Sequence, residues 1–473
     1  MSGGNLKETL TFPENLYWAW EKVRRFYRSM DGWYDELAVA KFEANLEQEL
    51  RRIAKDFDSG RYRMQPLRPL PQPKKPDASG NPKTRQAFWF TVRDQVAWTA
   101  YMNVVGPPLD QLMPPWSYGN RLYRSVWRDD AGERSKLHLG RYRNSSGQIY
   151  RSFRHSWPLY RRHVYLTVRQ MSSSRLPDEV DLGKAETTVL ESERLDLPED
   201  QRLPYLKEDF WLAKSASPCW VSLDLEKFYP SVNLDVVRSR FREVLRDEPD
   251  LVGSLLDDLL RFRLDLSGFT DGELAEIGLS RADRIFPHIP TGLMAAGFLA
   301  NVAMLEVDQT VREVIQSSQV AVFRYVDDHI ILAPSFKQLE EWVTLYKKVL
   351  EWSEVGASFN EEKFEPREFG EYFSAVSEQR QTESLRAKAV EKCRLDPRFP
   401  VPLMTQTLAK LSDVTGSDIE LLDDLGQEAL LADLEHLMLT DFPHTELPPA
   451  TRVSFAAGRI ARIAAERLRP SAD

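Results

Sequence analysis

The stretch Val320–Pro334, reading VAVFRYVDDHIILAP, constrains this chain more than any other. Two apolar, β-branched runs flank a bare pair of acids, Asp327 and Asp328. The pattern predicts two strands joined as a β-hairpin, with the carboxylates at or near its tip. Adjacent carboxylates repel each other, and the one local cation, Arg324, cannot neutralise both. A divalent cation is the natural counter-charge, because hard cations such as Mg2+ take carboxylate oxygens. A solvated turn, in which Asp is common for its own reasons, would produce the same pair.

A second segment favours the cation. Val221–Val232 reads VSLDLEKFYPSV: an apolar strand ends at Asp224, and Phe228 and Tyr229 follow. Two-metal nucleotidyl transfer needs carboxylates from separate elements around two ions about 3.5–4 Å apart. Asp224 with Asp327 and Asp328 would supply that set. YVDD at 325–328 resembles motif C of the reverse transcriptases, and Asp224 with Phe228 and Tyr229 resembles their motif A. The resemblance implies an RNA-directed DNA polymerase that adds dNTPs to a 3′-hydroxyl. Asp224, Asp327 and Asp328 would be catalytic and would hold two Mg2+ ions, and an RNA template and a DNA product would be the partners.

Composition allows this and excludes little. With 473 residues, 42% apolar and 29% charged, the chain can bury a sizeable core and hold two or three subdomains. No apolar run approaches the roughly 18 residues of a membrane span, and MSGGNLKETL does not read as a signal peptide. Two cysteines argue against a disulfide framework or zinc ribbon and suit a reducing, cytoplasmic setting. The net charge of −9 alone argues against nucleic-acid binding, but the distribution is uneven. Arg121–Arg175 carries 13 Lys and Arg against 3 Asp and Glu, interleaved with aromatics from Tyr123 to Tyr165. Basic residues neutralise phosphate and aromatics stack on bases, so the mixture suits nucleic acid, with Arg161 and Arg162 as candidate contacts.

The remaining blocks follow in order. Lys83–Ala100, KTRQAFWFTVRDQVAWTA, reads as a basic turn, an apolar strand and a helix. The resemblance implies that Lys83 and Arg85 bind the incoming triphosphate. Trp98 and Tyr101 share one helix face and read as core. Ser117–Arg121, SYGNR, resembles the SYG-x-R block of group II intron and retron-like enzymes, where Gly119 permits close approach and Arg121 could reach a template phosphate. Residues 172–200 are polar and acidic and read as a loop. Ile289–Met304 resembles motif B, with Gly292 at the nucleotide. Here Thr291 stands where Gln is common, and Ala296-Gly297 where Ser-Pro is usual. That departure resembles the bacterial unknown-group and abortive-infection reverse transcriptases of phage defence. Ala357–Phe364 resembles motif D and implies that Lys363 protonates the leaving pyrophosphate. Phe369–Val376 loosely resembles the primer-grip hairpin. In motif A the resemblance makes Tyr229 a steric gate under the sugar, and strand alternation points Phe228 the opposite way, into the palm.

The expected fold is α+β, a right-hand polymerase with fingers, a palm of antiparallel strands, and a helical thumb. Residues 1–60 form an N-terminal helical extension. Residues 61–375 form fingers and palm, with a basic insertion at 121–175 and an acidic loop at 176–210. Residues 376–473 form a helical thumb or C-terminal module. A dedicated non-coding RNA, a partner protein or a second copy are further possible partners. Two other functions fit the same residues: a template-independent or protein-primed DNA polymerase, and a catalytically idle RNA-binding scaffold. The intact acid set argues against the scaffold.

Overall fold

The structure is a computed structural model of the full chain. It describes residues 6–29, 34–74, 83–128, 137–173, 203–207, 209–359, 366–368, 424–439 and 449–467. Lys363 and Phe369–Val376 lie outside these, as does all of the acidic stretch 176–202. Two compact units divide the chain: residues 1–23 with 35–369, and residues 24–34 with 370–473.

In the first unit, alternation along Cys219–Asp224 buries Cys219, Val221 and Leu223. That period sends the neighbouring side chains to the opposite face. The strand is central in a four-stranded antiparallel sheet. Asp328–Ala333 pairs on one side of it and Arg367–Glu368 on the other, and Ala321–Tyr325 forms the outer edge beyond Asp328–Ala333. Mixed helices around an antiparallel sheet agree with the α+β expectation. The helix Phe336–Trp352 covers one face through Leu339, Trp342, Val343 and Tyr346, which recur at helical spacing and are buried.

The helix Val92–Leu112 is buried along most of its length. Thr91 caps it by accepting the Asp94 N–H, and Trp98 and Tyr101 meet edge to face inside the core, as their spacing predicts. The N-terminal helices Leu6–Thr11, Glu36–Ala44 and Leu46–Asp58 pack against it or one another. Asn15 donates to the Ala100 carbonyl at 3.1 Å, and Lys22 donates to Asn103 at 2.5 Å. The helical stretch read as an extension therefore shares a core, up to residue 23, with the helix Val92–Leu112.

Four local readings change. Lys83–Arg85 is a strand paired with Gln72–Lys74, not a turn. The end of the expected acidic loop is structural: Tyr205 is buried, donates to the Val322 carbonyl at 2.9 Å and meets Phe323 edge to face. Some aromatics of the basic segment also pack inside the protein, although Phe153 is exposed. Phe153, Trp157 and Tyr160, on the helix Phe153–Met171, surround Tyr325 with ring centroids 5.7, 5.0 and 5.7 Å away. Phe228 and Tyr229 lie on a short helix, Phe228–Ser231, which begins after the strand has ended at Asp224 and Lys227 has taken a left-handed φ of 46°. Strand alternation therefore does not separate them, and their rings stack at 5.9 Å.

In the second unit, the helices Asp424–Leu439 and Pro449–Arg467 form a small core of their own. Leu430, Leu434, Leu437, Ala456 and Ile463 are its buried members.

Candidate active site

Hairpin chemistry brings the acids together. Tyr325 pairs with Asp328, so Val326 and Asp327 form a two-residue turn. Val326 has φ 62°, the left-handed value that tight hairpins demand and that a β-branched residue rarely adopts. Asp328 opens the returning strand and is the register partner of Asp224 on the central strand. Directly opposed residues in an antiparallel pair stand about 4.5–5.5 Å apart at Cα. Asp224 and Asp327 are half-buried, and Asp328 is exposed.

The turn is held from within. The Asp327 carbonyl accepts the Leu225 N–H at 3.2 Å and lies 2.9 Å from His329 Nδ1. A carbonyl only accepts, so Nδ1 carries the proton. Burial and the nearby Arg324 push the His329 pKa down to about 3, so the ring is neutral and Nε2 accepts from the Tyr346 hydroxyl at 3.0 Å. His329 thus fixes the backbone of the turn and adds no charge.

Arg324 does not serve the acids as their local cation. Its guanidinium is buried and donates to Asp308 at 2.5 Å and to Asn301 at 2.8 Å. Asn301 in turn donates to the Gly119 carbonyl at 2.8 Å. Backbone bonds between Arg324 and both Trp116 and Tyr118 lay the SYGNR block along the outer edge of the hairpin. A Cβ on Gly119 would stand 2.4 Å from Val326 Cγ2, which explains glycine there.

Arg121 is not placed to reach a template phosphate. It is buried, its Nε donates to Asp110 at 3.0 Å, and its other nitrogens donate to Asp110, Pro114 and Ser117. Despite burial, the Arg121 guanidinium holds the Asp110 carboxyl below its ordinary range. Every donor of the fork is committed inside the protein.

Tyr229 faces the acids electrostatically. Burial, with the Asp327 charge next, pushes its hydroxyl up to about 12, while Asn120 and the Arg85 guanidinium act in the other direction. Arg85 is exposed on its strand and close enough for Tyr229 to feel its charge. The Lys83 backbone is in the same strand. Gly292 has φ 112°, and a Cβ there would stand 2.3 Å from the Phe88 carbonyl oxygen. Gln95, in the buried helix, bonds both the Gly292 carbonyl and the Met294 N–H, at 2.8 and 2.9 Å. These contacts tie the motif B-like turn to the segment carrying Arg85. Arg161 is half-buried on its helix, and Arg162 is on the same helix.

Sequence reasoning passed over His329, Gln95 and Asn120. Asn120 stood in the quoted SYGNR block, and its left-handed tendency is a usable signal.

Three carboxylates offer the hard oxygens that Mg2+ prefers. Among the described residues, no group of three or more His, Cys, Asp or Glu is already gathered to hold a metal ion. Mg2+ is commonly held by one or two carboxylates with substrate phosphates completing its shell, so the opposed Asp224 and Asp328 beside Asp327 fit that ion. Among the described residues, no helix is long and apolar enough to cross a membrane. Comparison with curated proteins gives no match. Residues 187–379, which span this sheet and its acids, match the family model of the reverse transcriptase (RNA-dependent DNA polymerase).

Proposed function

We propose that the protein is an RNA-directed DNA polymerase that adds dNTPs to a 3′-hydroxyl at Asp224, Asp327 and Asp328. The observation that carries this reading is the register pairing of Asp224 with Asp328, with Asp327 in the adjoining turn. It places carboxylates from two separate chain segments at one end of one sheet, within the part that matches the reverse transcriptase model.

In this reading the three carboxylates hold Mg2+, and Arg85, with Lys83, binds the triphosphate. When bound, Mg2+ would lower the pKa of the attacking hydroxyl and neutralise charge on the pyrophosphate that leaves. The turn at Gly292 lies beside the nucleotide, and Tyr229 closes the pocket under its sugar. Lys363 supplies the proton to the leaving group. The helix bearing Arg161 and Arg162 follows the nucleic-acid backbone. The division into fingers, palm and a helical thumb after residue 375 belongs to the same proposal. So does a role in phage defence, which rests on Thr291, Ala296 and Gly297 departing from the commoner motif B.

The test is to supply purified protein with a defined RNA, a primer, all four dNTPs and Mg2+, and to sequence the DNA made. Complementary DNA supports the reading. A homopolymer, or product made without RNA, supports template-independent synthesis. Tight RNA binding with no DNA product supports a scaffold.

A further inference from the structure

The Tyr229 hydroxyl accepts a hydrogen bond from Asn120 Nδ2 at 3.2 Å. Both residues adjoining Asn120 are clamped. Gly119 is wedged against Val326, with its carbonyl held by Asn301, and Arg121 is locked into Asp110. Asn120 itself has φ 55°, a left-handed conformation that Asn adopts more readily than most residues. Its amide therefore projects from a fixed piece of backbone.

The opposite side of the amide is fixed as well. A Cβ on Gly297 would stand 2.1 Å from Asn120 Nδ2 and 2.3 Å from its Cγ. Gly297 belongs to the helix Ala296–Ala303, every residue of which is buried, so the helix cannot easily retreat. An alanine at 297 would have to displace the amide from Tyr229. The glycine at the usual proline position of motif B thus makes room for an asparagine that reaches a tyrosine across the site.

We propose that Asn120 is a positioning residue for Tyr229 and that Gly297 is the space this arrangement requires. Asn120 sets the height of the Tyr229 ring under the incoming sugar and so sharpens the choice of deoxyribonucleotides over ribonucleotides. This rests on the reading of Tyr229 as the gate. A hydrogen bond that only satisfied a half-buried hydroxyl would affect stability and leave sugar choice alone.

The experiment measures kcat/KM for a dNTP and the matching rNTP, and Tm, in wild type and five variants: Asn120→Gly, Tyr229→Phe, Tyr229→Ala, Gly297→Ala and Asn120→Gly/Gly297→Ala. Glycine at 120 removes the amide while tolerating the positive φ. Asn120→Gly and Tyr229→Phe should each lower deoxy-over-ribo selectivity about 3- to 10-fold, chiefly through better rNTP use. Gly297→Ala should lower selectivity and Tm in the wild-type background and do much less in the Asn120→Gly background, because the clashing amide is gone. Wild-type selectivity in Asn120→Gly, beside lost selectivity in Tyr229→Ala, overturns the role of Asn120 alone. Equal damage from Gly297→Ala in both backgrounds overturns the role of Gly297. A Tyr229→Ala enzyme that still rejects rNTPs overturns the gate, and the positioning role with it.

Discussion

Gly119 and Val326 touch so closely that a single methyl group on the glycine would stand 2.4 Å from Val326 Cγ2 and 3.0 Å from its backbone nitrogen. Val326 immediately precedes Asp327 and already sits at φ 62°. Gly119→Ala should therefore push the turn carrying Asp327 out of place. The expected cost is about 1–3 kcal/mol of stability, with a loss of dNTP incorporation that exceeds the loss of folded protein. Urea denaturation and incorporation assays on the same sample check this. Val326→Gly, which removes the opposing side chain, should restore part of the activity.

The buried pair of Asp110 and Arg121 gives a second prediction. Removing one member strands the other in the interior, at a cost of about 3–5 kcal/mol. Arg121→Met and Asp110→Asn should both lower the urea midpoint, and folded Arg121→Met should keep the wild-type salt dependence of RNA binding. A flatter salt dependence in that variant would restore Arg121 as a phosphate contact.

Arg161 and Arg162 make the opposite case. If their helix follows a phosphate backbone, Arg161→Glu with Arg162→Glu should weaken RNA binding and flatten its dependence on salt. Fluorescence anisotropy across a salt series reads both. An unchanged slope would mark the pair as solvated surface.

Lys22 gives a pH dependence. Burial pushes its pKa from 10.5 down to about 7. Between about pH 7 and 10.5 the unfolded chain binds a proton there that the folded chain does not. Its contribution to stability therefore rises with pH across that window and is most unfavourable below pH 7. Tm against pH should climb less steeply in Lys22→Met than in wild type from pH 7 to 10, and the variant should be the more stable of the two at pH 7. Parallel curves would contradict the burial of a titrating amine.

The sequence revealed what short-range pattern controls. The β-branched runs around Asp327 and Asp328 became the hairpin, and the apolar strand ending at Asp224 became its neighbour. Helical spacing marked the buried pair Trp98 and Tyr101. What escaped depends on long-range partners. Arg324 looked like a counter-charge for the acids, yet it turns to Asp308 and Asn301 on the two preceding helices. Arg121 looked like a phosphate contact because SYGNR resembles the SYG-x-R block, but Asp110 lies beneath it. Aromatics among the basic residues suggested base stacking, and several enclose Tyr325 instead. Phe228 was read as strand because nothing local announces the left-handed Lys227.

The most direct measurement is single-turnover dNTP incorporation on a primed RNA template with Mg2+, comparing wild type with Asp224→Ala and Asp327→Ala. Circular dichroism and Tm confirm that each variant is folded. Both aspartates are expected to be indispensable, so each folded variant should fall below detection while still binding the primed RNA. Incorporation near the wild-type rate by either folded variant would contradict the assignment of this sheet end as the catalytic centre.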